Sequence, residues 1–178
     1  ASYVRFADLR LRGGRYGVYV QRAFNEFERV VAVSNVYGFY ELPNVYSKYS
    51  QCVAARNTYG YRADISRSQW DRGVSWSNGV AFQFDYNPNA TTISNSVIVG
   101  GTMYAGTGIS GIGDYNLFWN VDLGSGYLNL IDLQRAKNAW WRSTYGDPQF
   151  ANAAGLDFHV RSQQGRYDPI ARTWATDV

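Results

Sequence analysis

The chain has 178 residues, 46% of them hydrophobic and 17% charged, with a net charge of +3. That is apolar material for one packed domain and too little charge for long disorder. No Lys/Arg run marks a nucleic-acid surface, no apolar stretch reaches the roughly 18 residues of a membrane helix, and the single cysteine, Cys52, cannot form a disulfide within the chain.

Fifteen Tyr, nine Phe, six Trp and eighteen Gly favour strands and turns over helix bundles. From the N-terminus onward the chain repeats. Twelve-residue windows starting at Leu9, Val30, Cys52, Gly73 and Ser96 read LRLRGGRYGVYV, VVAVSNVYGFYE, CVAARNTYGYRA, GVSWSNGVAFQF and SVIVGGTMYAGT, at spacings of 21, 22, 21 and 23 residues. The windows align without an internal gap, so all length variation falls between them. Three residues before each window stands a large apolar group: Phe6, Phe27, Tyr49, Trp70 and Ile93. Gly14, Asn35, Asn57, Asn78 and Gly101 form a column of Asn or Gly. Both types tolerate a left-handed backbone, which predicts a turn, and stacked Asn side chains can bond from one repeat to the next. Val18, Phe39, Tyr61, Phe82 and Ala105 form another mostly apolar column. Short strands and Asn/Gly turns at this period predict a solenoid of about five to six coils spanning residues 1–121.

After Gly108 the repeat fades. DYNLFWNVD (114–122) reads as one more strand or partial coil. DLQRAKNAWWRSTYG (132–146) reads as a short helix with Asp132 as N-cap, Leu133, Ala136 and Trp140 on one face, and Gly146 as its stop. DFHVR is a late strand with the only histidine, His159, facing out. Residues 122–178 are thus expected to be a helix and a capping tail of the same domain.

The period and columns over residues 3–121 resemble the right-handed parallel β-helix of the pectate-lyase-like superfamily. DYNLFWN, the Trp-containing helix and DPQFAN…LDFHVRSQQGRYDP resemble the C-terminal end of secreted bacterial β-helix proteins. The resemblance implies an all-β fold, an extracellular or cell-surface setting and a polysaccharide partner, with no nucleic acid and no membrane insertion. It also implies a fragment of a longer protein. The first coil is expected to be covered by further coils, a partner chain or a second copy.

Alternation along the first strand of each window leaves Val31, Val33, Val53, Ala55, Val74, Trp76, Val97 and Val99 facing out. The C-terminal helix or tail, with Trp140 and Trp141, is expected to cover that face; otherwise it is an assembly surface. Along the later strand, Tyr19, Tyr40, Arg62, Gln83 and Gly106 form an outward column, and Gly17, Gly38, Gly60 and Ala81 a small column expected to face out beside it. Tyr19, Tyr40, Arg62 and Gln83 are therefore candidates for carbohydrate binding, with sugar rings stacking on Tyr. Asp64 and Asp85 share a column and are expected roughly 5 Å apart. That spacing suits a retaining glycosidase pair or a calcium site. With Arg62 they are the candidate catalytic residues of a lyase or glycosidase, Lys48, Arg or a Tyr serving as base in the lyase case. The alternative is a non-catalytic, adhesin-like surface solenoid. Cys52 falls in an inward column and is expected to be buried filler.

Overall fold

The computed structural model describes residues 4–22, 24–64, 67–85, 91–105, 112–124, 126–137, 139–160, 166–168 and 173–175. The chain divides into two compact units, residues 1–146 and 147–178.

The first unit is a parallel β-solenoid of about five coils. The first coil supplies β1 (Val4–Ala7), β2 (Arg10–Arg12) and β3 (Tyr16–Val20), and each starts one sheet. The β1 sheet continues through Asn25–Glu28, Ser47–Ser50, Gln69–Asp71, Thr92–Ser94 and Ile112–Asp114. The β2 sheet continues through Val31–Val33, Val53–Ala55, Val74–Trp76, Val97–Val99, Leu117–Trp119 and Thr144–Tyr145. The β3 sheet continues through Tyr37–Glu41, Tyr59–Ala63, Val80–Phe84 and Thr102–Ala105. DYNLFWN thus lies in a partial further coil, as its pattern predicts.

The inward columns build the core. Phe6, Phe27, Tyr49 and Trp70 are in register, with successive ring centroids 5.3, 5.0 and 5.5 Å apart, and Ile93 tops them. Phe39, Tyr61 and Phe82 meet this stack from the β3 sheet, all fully buried. Each fully buried side chain among these contributes about 1.5–3 kcal/mol by burial, whereas Phe6 in the first coil is exposed. Cys52 is buried among them, its Sγ against the Phe27 carbonyl at 3.4 Å, and burial pushes its thiol up to about 12.

The Asn column forms a ladder. Asn57 Oδ1 accepts from the Asn35 backbone N–H at 2.9 Å, and Asn78 Oδ1 accepts likewise from Asn57 at 2.9 Å. In the first four coils the left-handed residues are one position earlier than expected: Gly13, Ser34, Arg56 and Ser77 have positive φ, while Asn35, Asn57 and Asn78 do not; in the fifth coil Gly101 is left-handed as expected, together with Gly100. The Asn side chain turns inside, and its predecessor absorbs the corner. A second corner repeats the device with Asp8, Arg29, Gln51, Arg72, Asn95 and Tyr115 at positive φ. The windows do contain a gap. Trp76 pairs with Val99 but Val80 with Thr102, so one residue is lost at the Gly100–Gly101 turn. Tyr104, not Ala105, stands opposite Phe82, and Ala105 opposite Gln83; Gly106 lies outside the described residues.

The helix is Leu130–Lys137, capped by Asn129, whose Oδ1 accepts from the Asp132 N–H at 3.0 Å. Asp132 sits inside the first turn, and Gly146 lies beyond Thr144–Tyr145 rather than at the helix end. Trp140 follows the helix and does not cover the β2 sheet. It enters the end of the solenoid, edge-on to Phe118 at 5.8 Å, in space left by Gly113, where a Cβ would stand 2.0 Å from its ring. Trp141 is exposed. Arg142 ties this cap to the last coil through Asp114, Nε to Oδ2 at 2.7 Å.

The second unit holds two antiparallel pairs, Phe150–Asn152 with Asp157–Val160 and Arg166–Asp168 with Thr173–Ala175. His159 is exposed there, with Nδ1 against Asp157.

Candidate functional site

The three sheets turn different chemistry outward. The β1 sheet is ionic: Arg5 pairs with Glu28, and Lys48 with Glu26 at 3.7 Å. The β2 sheet carries the half-buried row Val31, Val53, Val74 and Val97, with Arg56 over the Trp76 ring at 4.9 Å. The β3 sheet carries tyrosine.

Local backbone explains the tyrosines. In Tyr37–Glu41 and in Tyr59–Ala63, the second, third and fifth residues are buried and the first and fourth are half-exposed. Two successive residues therefore face in, and the small column is an inward one. A Cβ at Gly38 would lie 2.5 Å from the Gly60 carbonyl and 2.8 Å from Asn57 Nδ2, against the ladder. Strict alternation would put residues three apart on opposite faces; the doubled inward step puts both on one face.

Two aromatic rows result. Tyr16, Tyr37 and Tyr59 stack at 5.3 and 5.1 Å, and Tyr19 and Tyr40 at 5.6 Å. Tyr37 lies 5.2 Å from Tyr40, joining the rows. Arg62 takes the next rung, its guanidinium 5.4 Å from the centroids of both Tyr37 and Tyr40 and 6.0 Å from Tyr59. Arg62 also donates to the Tyr37 hydroxyl at 2.9 Å and to Asp85 Oδ2 at 2.6 Å. Gln83 donates to Asp85 Oδ1 at 2.6 Å. Asp64 stands beside Asp85, each following the paired Ala63 and Phe84, and burial, then that neighbouring carboxylate, push its carboxyl above the ordinary range. Burial likewise raises the Tyr40 phenol, against the lowering influence of Arg62.

All the expected site residues, Tyr19, Tyr40, Arg62, Gln83, Asp64 and Asp85, thus belong to one face. Lys48 does not join them, being on the β1 sheet beside Glu26, and Arg67 lies over Tyr46 at 5.9 Å. Tyr16, Tyr37 and Tyr59 belong to the face as well. Their signal was the Tyr-Gly written in the first three windows, whose glycine is the doubled inward step. Both Asp85 oxygens are engaged by Arg62 and Gln83, and no group of three or more His, Cys, Asp or Glu able to hold a metal ion occurs among the described residues. The pair alone is a sparse ligand set for calcium, which takes six to eight oxygens.

Sequence reasoning also missed a buried acid. Glu41, fully buried in the column of Val20, Ala63 and Phe84, accepts from Tyr49 at 2.8 Å, from Tyr61, and from Ser68 at 2.8 Å. Burial and the Glu41 carboxylate push the Tyr49 phenol well up. With the core closed around it, Glu41 is structural and faces away from the tyrosine rows.

Among the described residues, no helix is long and apolar enough to cross a membrane. No protein-family model matches the chain, and comparison with curated proteins and with solved structures finds no match.

Proposed function

We propose that the protein binds polysaccharide along the outer face of the β3 sheet, in the extracellular or cell-surface setting of the pectate-lyase-like superfamily. What carries the reading is the convergence on one face of Tyr16, Tyr19, Tyr37, Tyr40, Tyr59, Arg62 and Gln83, interlocked before any ligand arrives. Aromatic edges, phenol hydroxyls and planar donors suit a linear, hydroxyl-rich chain. The superfamily, a right-handed coil and a secreted bacterial source rest on the sequence resemblance.

Binding is favoured over hydrolysis by one observation. A glycosidase needs two carboxyls free to act on the substrate, whereas both oxygens of Asp85 are tied down by Arg62 and Gln83. The test is affinity electrophoresis through gels containing single polysaccharides, with reducing-sugar release and unsaturated-uronate absorbance followed in parallel. Retardation without product supports binding. Product formation abolished by Asp64→Asn or Asp85→Asn would restore the enzyme, and no retardation in any gel would remove the glycan reading.

An assembling surface solenoid is the second reading. Trp119 and Tyr145 support it: both are exposed, with ring centroids 5.8 Å apart, on the last two strands of the β2 sheet. Light scattering that finds a monomer at high concentration counts against it.

A further inference from the structure

The stacked tyrosines cover one another. Tyr37 lies between Tyr16 and Tyr59, Arg15 stands over the Tyr16 ring at 5.3 Å, and Arg62 lies next to Tyr37, Tyr40 and Tyr59. The ring faces of Tyr16, Tyr37 and Tyr40, the part of an aromatic that a sugar's C–H groups would contact, are occupied by neighbours, while Tyr19 in the first coil is 43% exposed. Edges and hydroxyls remain for solvent. Among the described residues, only Tyr37 of these five spends its hydroxyl within the protein, accepting from Arg62. The hydroxyls of Tyr16, Tyr19, Tyr40 and Tyr59 are left as a comb of groups that both donate and accept, Tyr19 and Tyr40 on neighbouring coils about 4.8 Å apart and Tyr16 and Tyr59 two coils apart. The charge at the end of the comb is already balanced. Arg62, the cation on the rung after Tyr40, is bonded to Asp85 and carries Asp64 alongside, and Arg15 stands over Tyr16. A uronate carboxylate approaching there meets two carboxyl groups and an arginine whose Nε is taken.

Resting on the reading of this face as a polysaccharide surface, we propose that it binds a neutral, hydroxyl-rich glycan through the phenol hydroxyls rather than by ring stacking, and discriminates against polyuronates. This reverses the expectation that sugars stack on Tyr19 and Tyr40, and assigns Tyr16 and Tyr59 to the site.

The test is calorimetric titration of the full chain with neutral oligosaccharides (gluco-, xylo-, manno- and galacto-) and with oligogalacturonate and oligoalginate. The variants are Tyr19→Phe and Tyr40→Phe, which keep the rings, and Tyr19→Ala and Tyr40→Ala, which remove them. Far-ultraviolet circular dichroism confirms that each is folded. The expected result is a neutral ligand whose affinity falls roughly fivefold to tenfold in each Phe variant, as one lost hydrogen bond requires, and little further in the Ala variants. Oligouronates should bind at least tenfold more weakly. Phe variants that bind like the parent, with Ala variants that do not, would overturn the hydroxyl comb and leave a stacking surface. Uronates binding as tightly as neutral chains would overturn the selectivity. If the parent binds no sugar chain at all, the polysaccharide reading itself fails, and this inference with it.

Discussion

Tyr37 and Tyr40, separated by Gly38 and Phe39, stand on the same face of one strand with ring centroids 5.2 Å apart. That relationship depends on a position without a side chain. Gly38 turns toward the Asn ladder, and Phe39 then enters the core, so the strand takes two inward steps before Tyr40 emerges.

Gly38→Ala should therefore disturb both fold and face. Its methyl would meet the Gly60 carbonyl at 2.5 Å and Asn57 Nδ2 at 2.8 Å, the first being backbone and the second held by its bonds to the Ala32 carbonyl and Asn78 Oδ1. We expect a loss of about 1–3 kcal/mol in urea unfolding. The same change at Gly126, where a Cβ meets nothing within 4 Å, controls for crowding, though its positive φ carries backbone strain of its own. Equal midpoints for Gly38→Ala and the parent would refute the doubled inward step.

The Glu41 cluster makes a second prediction. Glu41→Ala strands the buried hydroxyls of Tyr49, Tyr61 and Ser68 and should cost roughly 3–5 kcal/mol. Glu41→Met combined with Tyr49→Phe and Tyr61→Phe removes most of the polar network together and should recover a large part of that loss. Denaturant titration of the single and triple variants decides. A triple variant no more stable than Glu41→Ala would show that the cluster's importance is packing rather than hydrogen-bond satisfaction.

Asp64 gives a pH dependence with an unusual sign for an acid. Its pKa is raised in the folded chain, first by burial and then by Asp85, from an ordinary 3.8. The folded state then holds its proton more tightly than the unfolded state, so this group's contribution is most favourable below 3.8 and is lost as pH rises through the raised value. Asp64→Asn should raise the melting temperature at pH 7 relative to the parent, and the difference should close at about pH 3. A variant less stable than the parent at neutral pH would mean that the ionised Asp64 is held by favourable partners.

Much of the fold was legible because a solenoid writes its cross-section repeatedly. Phe27, Tyr49 and Trp70 recur with one partner above and one below, so the column itself reports the contact. The Asn ladder was legible for the same reason, though not which residue turns left-handed, since Ser34 and Arg56 have no marked preference for that conformation. What alternation could not show is the double inward step at Gly17, Gly38 and Gly60, which only the packing against Asn35, Asn57 and Asn78 requires. Nor does sequence show that Tyr49, Tyr61 and Ser68, from two strands and a loop, converge on Glu41, or that Gly113 leaves room for Trp140. The site residues were found as columns; the closeness of Asp64 and Asp85 and the mutual covering of the tyrosines depend on side-chain placement, which column position does not fix.

The most direct test of the account is hydrogen exchange by mass spectrometry on the full chain, with and without a saturating neutral polysaccharide that retards it in the gel. The account predicts added protection centred on Tyr16–Val20, Tyr37–Glu41 and Tyr59–Ala63. Protection centred instead on the roughly 830 Å³ cleft between Leu128, Ile131, Trp141 and Tyr145, with the tyrosine strands unchanged, would contradict it.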